Sequence, residues 1–392
     1  MNYLEQSFSV KFEYKIFFTS SLFNINNNTL IDFFKQKPSE SLRKLFFVVD
    51  QGVADAHPNL LTDISTYFAG YPEVQLIKEV MIIPGGEAAK NDIAHFDRIV
   101  EAVNGFGIDR HSYIAAIGGG AILDLVGYAA AVSHRGIKHI RIPTTVLSQN
   151  DSGIGVKNGI NYNGKKNFLG TFAPPNAVFN DEEFLATLTD RDYRSGISEA
   201  IKVSLIKKPE FFHWIEEHAD ELVSRNKVSM NHLIKLCAQL HLNHIGGDDP
   251  FETGSARPLD FGHWAAHKLE QLSNFSVLHG EAVAMGIALD STYSFLKGML
   301  TEEKLRRILK TLVKLGYDIS NPYIQINDLE SPILKGLAEF QEHLGGKLSI
   351  TLLTDLGTGE EVHEMDQQLL IKASKYVRDF TESSSTTTAY ES

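Results

Sequence analysis

An apolar run that passes through three glycines straight into a helical pattern leaves few folds open. HSYIAAIGGG, residues 111–120, reads as a buried strand, and AILDLVGYAAAV follows it at helical spacing. LFFVVD at 45–50, VMIIPGGE at 80–87 and HIRIPTT at 139–145 repeat the strand signal. Strands that alternate with helices are joined by crossovers, so the first half predicts a parallel sheet flanked by helices. From about Asp190 the pattern changes. ISEAIKVSLIKKPEFFHWIEEHADELV, SMNHLIKLCAQLHLNHI and EEKLRRILKTLVKLG are all helical in period, with few strand candidates before LSITLL. The expected architecture is an α/β domain over 1–188 and a mainly α-helical domain over 189–380, with the cleft between them as the place for chemistry. The polar, low-complexity tail TESSSTTTAYES, residues 381–392, lacks apolar surface to bury and is expected to be disordered.

Composition narrows the class. With 392 residues, 43% hydrophobic and 22% charged, the chain can bury two sizeable cores. A formal charge of −12 excludes a general nucleic-acid binder, because phosphate attraction needs basic surface. The single cysteine, Cys237, excludes an intrachain disulfide framework and fits a reducing compartment. The N-terminus MNYLEQSFSVKFEYKIFF alternates like a strand rather than a signal peptide, and no run reaches membrane-spanning length, so a cytoplasmic protein is expected.

Three features carry chemistry. Gly118, Gly119 and Gly120 lie where a strand becomes a helix, so backbone N–H groups there can approach a phosphate; a packing turn would look the same. Asp50 ends a strand and could meet ribose hydroxyls, or simply face solvent. SQNDSGIGVKNGINYNGKKNFLG, residues 148–170, reads as a glycine-rich loop whose Lys157, Lys165 and Lys166 suit an anion. The third feature is LDFGHWAAHKLEQLSNFSVLHGEAVAMG, with His263, His267 and His279 inside an apolar segment, Glu281 nearby and Glu199 upstream. Three N/O ligands with a vacancy suit a catalytic metal, and the i, i+4 spacing alone would select His263 and His267.

Taken in order, IGGGAILDLVGYAAAVSHRG, IPTTVLSQNDSGIGVKNGIN, GKKNFLGTFAPP, GISEAIK, FGHWAAHKLE and LHGEAVAMG resemble the sugar phosphate cyclases, typified by 3-dehydroquinate synthase. The resemblance spans about residue 45 to beyond residue 290. It implies an N-terminal α/β domain that binds NAD and a C-terminal helical domain that binds a divalent metal, zinc or cobalt. It also implies a different ligand set, Glu199, His263 and His279, with His267 turned to the substrate phosphate. Asp50, Glu87 and Lys90 resemble adenosine-ribose contacts, and Gly119 and Gly120 a pyrophosphate cradle. Asp124, Thr144, Thr145, Phe184, Thr187 and Leu188 match positions that bind the rest of NAD. Asp151, Lys157, Lys166 and Asn167 match the substrate and cofactor end, and Lys202 follows the metal glutamate. Arg135 resembles an arginine that reaches a neighbouring subunit, which implies a homodimer. The implied reaction on a small sugar phosphate is transient oxidation by NAD, phosphate β-elimination, re-reduction and intramolecular aldol closure.

The departures concern the substrate. Where 3-dehydroquinate synthase has an arginine this chain has Ala256, with Arg257 one place late, and Asp260 replaces an asparagine. His241 stands beside a missing lysine, and Glu342 and His343 occupy a lysine-pair region. A substrate carboxylate would be poorly paired there, at a cost of about a few kcal/mol. A neutral heptulose phosphate, as in 2-epi-5-epi-valiolone synthases, therefore competes with the 3-deoxy acid. A metal-dependent alcohol or glycerol-1-phosphate dehydrogenase is the other enzymatic reading, and a binding protein on a retired enzyme fold is the third.

Overall fold

The apolar runs of the first half become the strands of one parallel sheet. The computed structural model describes residues 2–36, 43–247, 251 and 258–388. These strands are β1 (Lys15–Thr19), β2 (Arg43–Asp50), β3 (Val74–Leu76), β4 (Met81–Ile83), β5 (Tyr113–Gly118) and β6 (Lys138–Pro143). β7 (Lys157–Tyr162) and β8 (Lys165–Phe172) form a separate antiparallel hairpin, after which β9 (Ala177–Asp181) returns to the sheet. The order is β1-β9-β6-β5-β2-β3, with β4 also paired to β2. The chain turns to one side of β2 for β3 and β4 and to the other for β5, so the sheet changes winding direction between β2 and β5. Asp50 and Gly118 end those two strands, at the kind of switch point where ligands bind in open α/β sheets. β2 and β5 are buried along most of their length because apolar clusters cover both faces, which explains their unbroken rather than alternating hydrophobicity.

Contacts divide the chain into one unit of residues 1–144 and 155–184 and a second of residues 145–154 and 185–392. The expected boundary after 188 thus differs in two ways. The break falls after Phe184, and ten residues from the middle of the first half join the helical unit. They carry a wide helical turn, Ser148–Ser152, that packs on the helix Lys227–Ile245. The stretch read as a loop over 148–170 is largely the β7–β8 hairpin, closed by Asn163 and Gly164 at φ 49° and 74°. Only Lys15–Thr19 of the N-terminal stretch is strand.

The second unit is helical apart from a hairpin, β10 (Ile350–Asp355) and β11 (Thr358–Val362). Its core includes Trp264, Phe211, Phe212, Phe261 and Tyr293. The helices His263–Leu272 and His279–Leu296 cross closely, because a Cβ on Gly286 would lie 2.0 Å from the Gly262 carbonyl oxygen. The last helix runs Gln367–Thr388, into the tail expected to be disordered; residues 389–392 lie outside the described ones. Among the described residues no helix is long and apolar enough to cross a membrane.

Candidate active site

In the second unit, Glu199 lies on the helix Ile197–Lys207, His263 opens the helix His263–Leu272 and His279 opens the helix His279–Leu296. Gly262 at φ 76° turns the chain so that His263 starts its helix pointing inward. One ligand atom from each of the three residues falls within 4.8 Å of the others. His263 Nε2 is 3.6 Å and His279 Nε2 3.5 Å from Glu199 Oε1. Two ligands each about 2.1 Å from one tetrahedral zinc stand roughly 3.4 Å apart, so the gap suits a metal better than a hydrogen bond. The Glu199 carboxylate is buried, and among the described residues neither oxygen has a hydrogen-bond partner of regular geometry, although Oε2 is ion-paired with Lys202. A buried, under-satisfied oxygen facing two imidazole nitrogens fits a cation.

His267 stands beside the triad, with ring centroids 5.6 Å from His263 and 6.2 Å from His279. The i, i+4 pair is therefore on one face, but the grouped ligand atoms are those of Glu199, His263 and His279, so spacing alone chose the wrong partner for His263. Glu281 is committed elsewhere, since it accepts from Arg191 Nε (2.6 Å) and from the Leu278 amide (2.9 Å).

The charges around the triad are strongly coupled. Burial alone would raise the Glu199 pKa, but Lys202 and the two imidazoles hold it well below the usual carboxylate range. Burial acts to lower Lys202, and the carboxylates of Glu199, Asp151 and Asp260 reverse this and raise it. Asp151 is pushed up by burial and by Glu199, but His241, 3.0 Å away, and Lys202 bring it below the ordinary value. Asp260 is half-buried and Glu342 exposed; Ala256 and Arg257 lie outside the described residues, as does the side chain of His343.

In the first unit, Asp50 caps the helix that follows β2, accepting from the Gly52 amide at 2.8 Å. Burial raises its pKa against the pull of the Gly52 and Val53 amides. Gly119 caps the helix Gly120–Val132 with no side-chain oxygen; the Ile122 and Leu123 amides donate to the Gly119 carbonyl, so the Gly120 and Ala121 amides are the ones placed for an outside anion. Lys90 is 2% exposed and gathers several expected residues: Asp124 at 2.9 Å, Glu87 at 3.7 Å and Asn167 in a short hydrogen bond. Lys157 is exposed at the start of β7 and Lys166 half-buried in β8. Thr144 donates its amide to Gly118 O, at the carboxyl end of β5. Phe184 is buried edge-on to His57. Arg135 is exposed in a left-handed turn. In the second unit, Thr145 contacts Ser148, Leu188 accepts from Arg225, and Thr187 is exposed.

Two organising residues escaped sequence reasoning. Fully buried Arg141 donates to Gly155 O (2.7 Å), Lys157 O (2.9 Å) and Asn158 Oδ1 (2.6 Å), which fixes the start of β7. A cation inside the apolar run HIRIP was its signal. Asn161 donates to Glu87 and Asn91 and accepts from the Asn167 amide, and nothing in the sequence marked it.

Known proteins resemble this chain along most of its length. Family models described as 3-dehydroquinate synthase N-terminal and C-terminal match residues 80–195 and 196–335 in succession. The 3-dehydroquinate synthase of Dictyoglomus thermophilum is 36% identical over 300 residues, 76% of this chain and 82% of the relative. That of Halorhodospira halophila is 31% identical over 340 residues, 83% of this chain and 94% of the relative. Among solved structures, ValA, a 2-epi-5-epi-valiolone synthase from Streptomyces hygroscopicus subsp. jinggangensis 5008 with NAD+ and Zn2+ bound, matches with a TM-score of 0.85 at 28% identity. The match covers 96% of this chain and 99% of ValA. A 2-deoxy-scyllo-inosose synthase complexed with carbaglucose-6-phosphate, NAD+ and Co2+ shares the fold, with a TM-score of 0.75 at 21% identity over 93% of this chain and 96% of that one. Fold and sequence together define a sugar phosphate cyclase. The chain belongs to the 3-dehydroquinate synthase family.

Proposed function

We propose that this cyclase acts on a seven-carbon ketose phosphate whose far end is uncharged, with NAD and a divalent metal, zinc by preference, as resident cofactors. One observation carries the choice of substrate: Asp151, Glu199 and Asp260 all act on one buried ammonium, that of Lys202, and His241 is already paired with Asp151. Each further negative charge about 5 Å from Asp151 or Asp260, the two acids that the metal does not hold, would cost roughly 3 kcal/mol at an effective dielectric of about 20. The likeness to ValA, named as a 2-epi-5-epi-valiolone synthase, supports the same reading.

When bound, NAD accepts and returns a hydride and the metal acidifies a substrate hydroxyl, which makes phosphate elimination and ring closure accessible. Glu199, His263 and His279 hold the metal. Lys202 keeps Glu199 ionised and ready to coordinate. His267, Lys157, Lys166 and Asn167 hold the phosphate and, as it leaves, its growing charge. Asp50, Glu87 and Lys90 receive the cofactor's ribose side, Gly119 and Gly120 its pyrophosphate, and Asp124 part of the rest. Thr144, Thr145, Asp151, Phe184, Thr187 and Leu188 complete its binding, and Arg135 serves the site of a second copy in a homodimer.

Phosphate release from the metal-loaded protein, measured with a neutral heptulose phosphate and with the 3-deoxy heptulosonate phosphate, tests the proposal. The expected result is kcat/KM for the neutral substrate at least equal to that for the acid. The second reading, 3-dehydroquinate synthase proper, is favoured by the names of the relatives at 31–36% identity. A preference of about a hundredfold for the acid, roughly 2.7 kcal/mol, would establish it. Net accumulation of NADH would point instead to a dehydrogenase.

A further inference from the structure

The two histidines of the triad present the same ring nitrogen to Glu199 but are anchored differently. His263 Nδ1 lies 3.1 Å from the Phe261 carbonyl oxygen, a main-chain anchor that no side-chain substitution removes. His279 Nδ1 lies 3.1 Å from Glu270 Oε2. Glu270 is 4% exposed and follows His263 by seven residues on the helix His263–Leu272, so one helical face carries a triad member, His267 and this buried acid. Its main chain also shapes the approach to His279, since its carbonyl accepts from the Phe275 amide (2.7 Å) and the Ser273 hydroxyl (3.1 Å).

We infer that Glu270 is a positioning residue for His279: its carboxylate accepts the Nδ1 proton, fixes the tautomer with a bare Nε2, and makes that nitrogen a stronger donor to the metal. A buried acid is costly unless paired, and this pairing turns the cost into ligand orientation. The inference rests on the metal reading above. It gives the site a second carboxylate, separated from that of Glu199 by the His279 ring.

The test compares Glu270→Ala and Glu270→Gln with the wild type in two readouts. One is zinc affinity by chelator competition. The other is the His279 tautomer, read from long-range nitrogen–proton NMR couplings in metal-free protein. Alanine should weaken zinc binding 10- to 100-fold and lower the Nδ1–H population of His279. Glutamine keeps an oxygen acceptor of the same reach, so it should recover the tautomer and part of the affinity; it also serves if the alanine variant fails to fold. Zinc affinity within twofold of wild type, or an unchanged tautomer in the alanine variant, would overturn the proposal. A wild type that binds no zinc would remove the metal reading itself, and the tautomer, read without metal, tells the two failures apart.

Discussion

Two carboxylates of the second unit, both out of water, sit at opposite ends of the ionisation scale. Glu199 is held ionised by Lys202 and two imidazoles, whereas Asp290 accepts from two neutral donors, the Trp264 indole N–H (2.9 Å) and the Gly262 amide (3.1 Å), and burial pushes its pKa up to about 7. For Asp290 folding favours the neutral acid. Its contribution is complete below the unfolded pKa of about 4, declines as pH rises, and is lost above about 7. The wild type should therefore lose roughly 2–3 kcal/mol relative to Asp290→Asn between pH 5 and pH 8 in denaturant titrations. A difference that stays flat over that window would refute the shift. At the metal site, His279→Ala or His263→Ala should abolish stoichiometric zinc binding and turnover. His267→Ala should keep the metal and lose rate, and metal analysis with kinetics on the same samples separates the outcomes.

At the scale of elements, close approaches set the site. The Gly286 backbone touches Gly262, so Gly286→Ala must push apart the two helices that begin with His263 and His279. The expected cost is about 1–3 kcal/mol in stability, with a matching drop in zinc affinity; unchanged affinity would mean that the helices absorb the shift elsewhere. The β7–β8 hairpin makes a different point about legibility. Asn163-Gly164 between alternating residues is a hairpin signal, since both positions need positive φ, yet the density of glycine and lysine around it reads as a loop. Arg141 was legible as a cation in an apolar run, but not its task, because its acceptors lie 14 to 17 residues away.

Across the whole molecule, the acid at the end of β2 should govern cofactor choice. Asp50 is expected to favour ribose hydroxyls over a 2′-phosphate, so NAD should bind much more tightly than NADP in calorimetry, and similar affinities would place the ribose elsewhere. By itself the sequence determined the parallel sheet, the change to helices and the chemistry of the available side chains, because these follow from hydrophobic period, glycine placement and residue type along the chain. Only the tertiary structure decided which side chains meet. Spacing on one helix joins His263 to His267, but Glu199 arrives from another helix 64 residues earlier. Residues 145–154 belong to the helical unit for the same reason: their partners are across space, and period in sequence reports only the face a residue presents, not what that face is packed against.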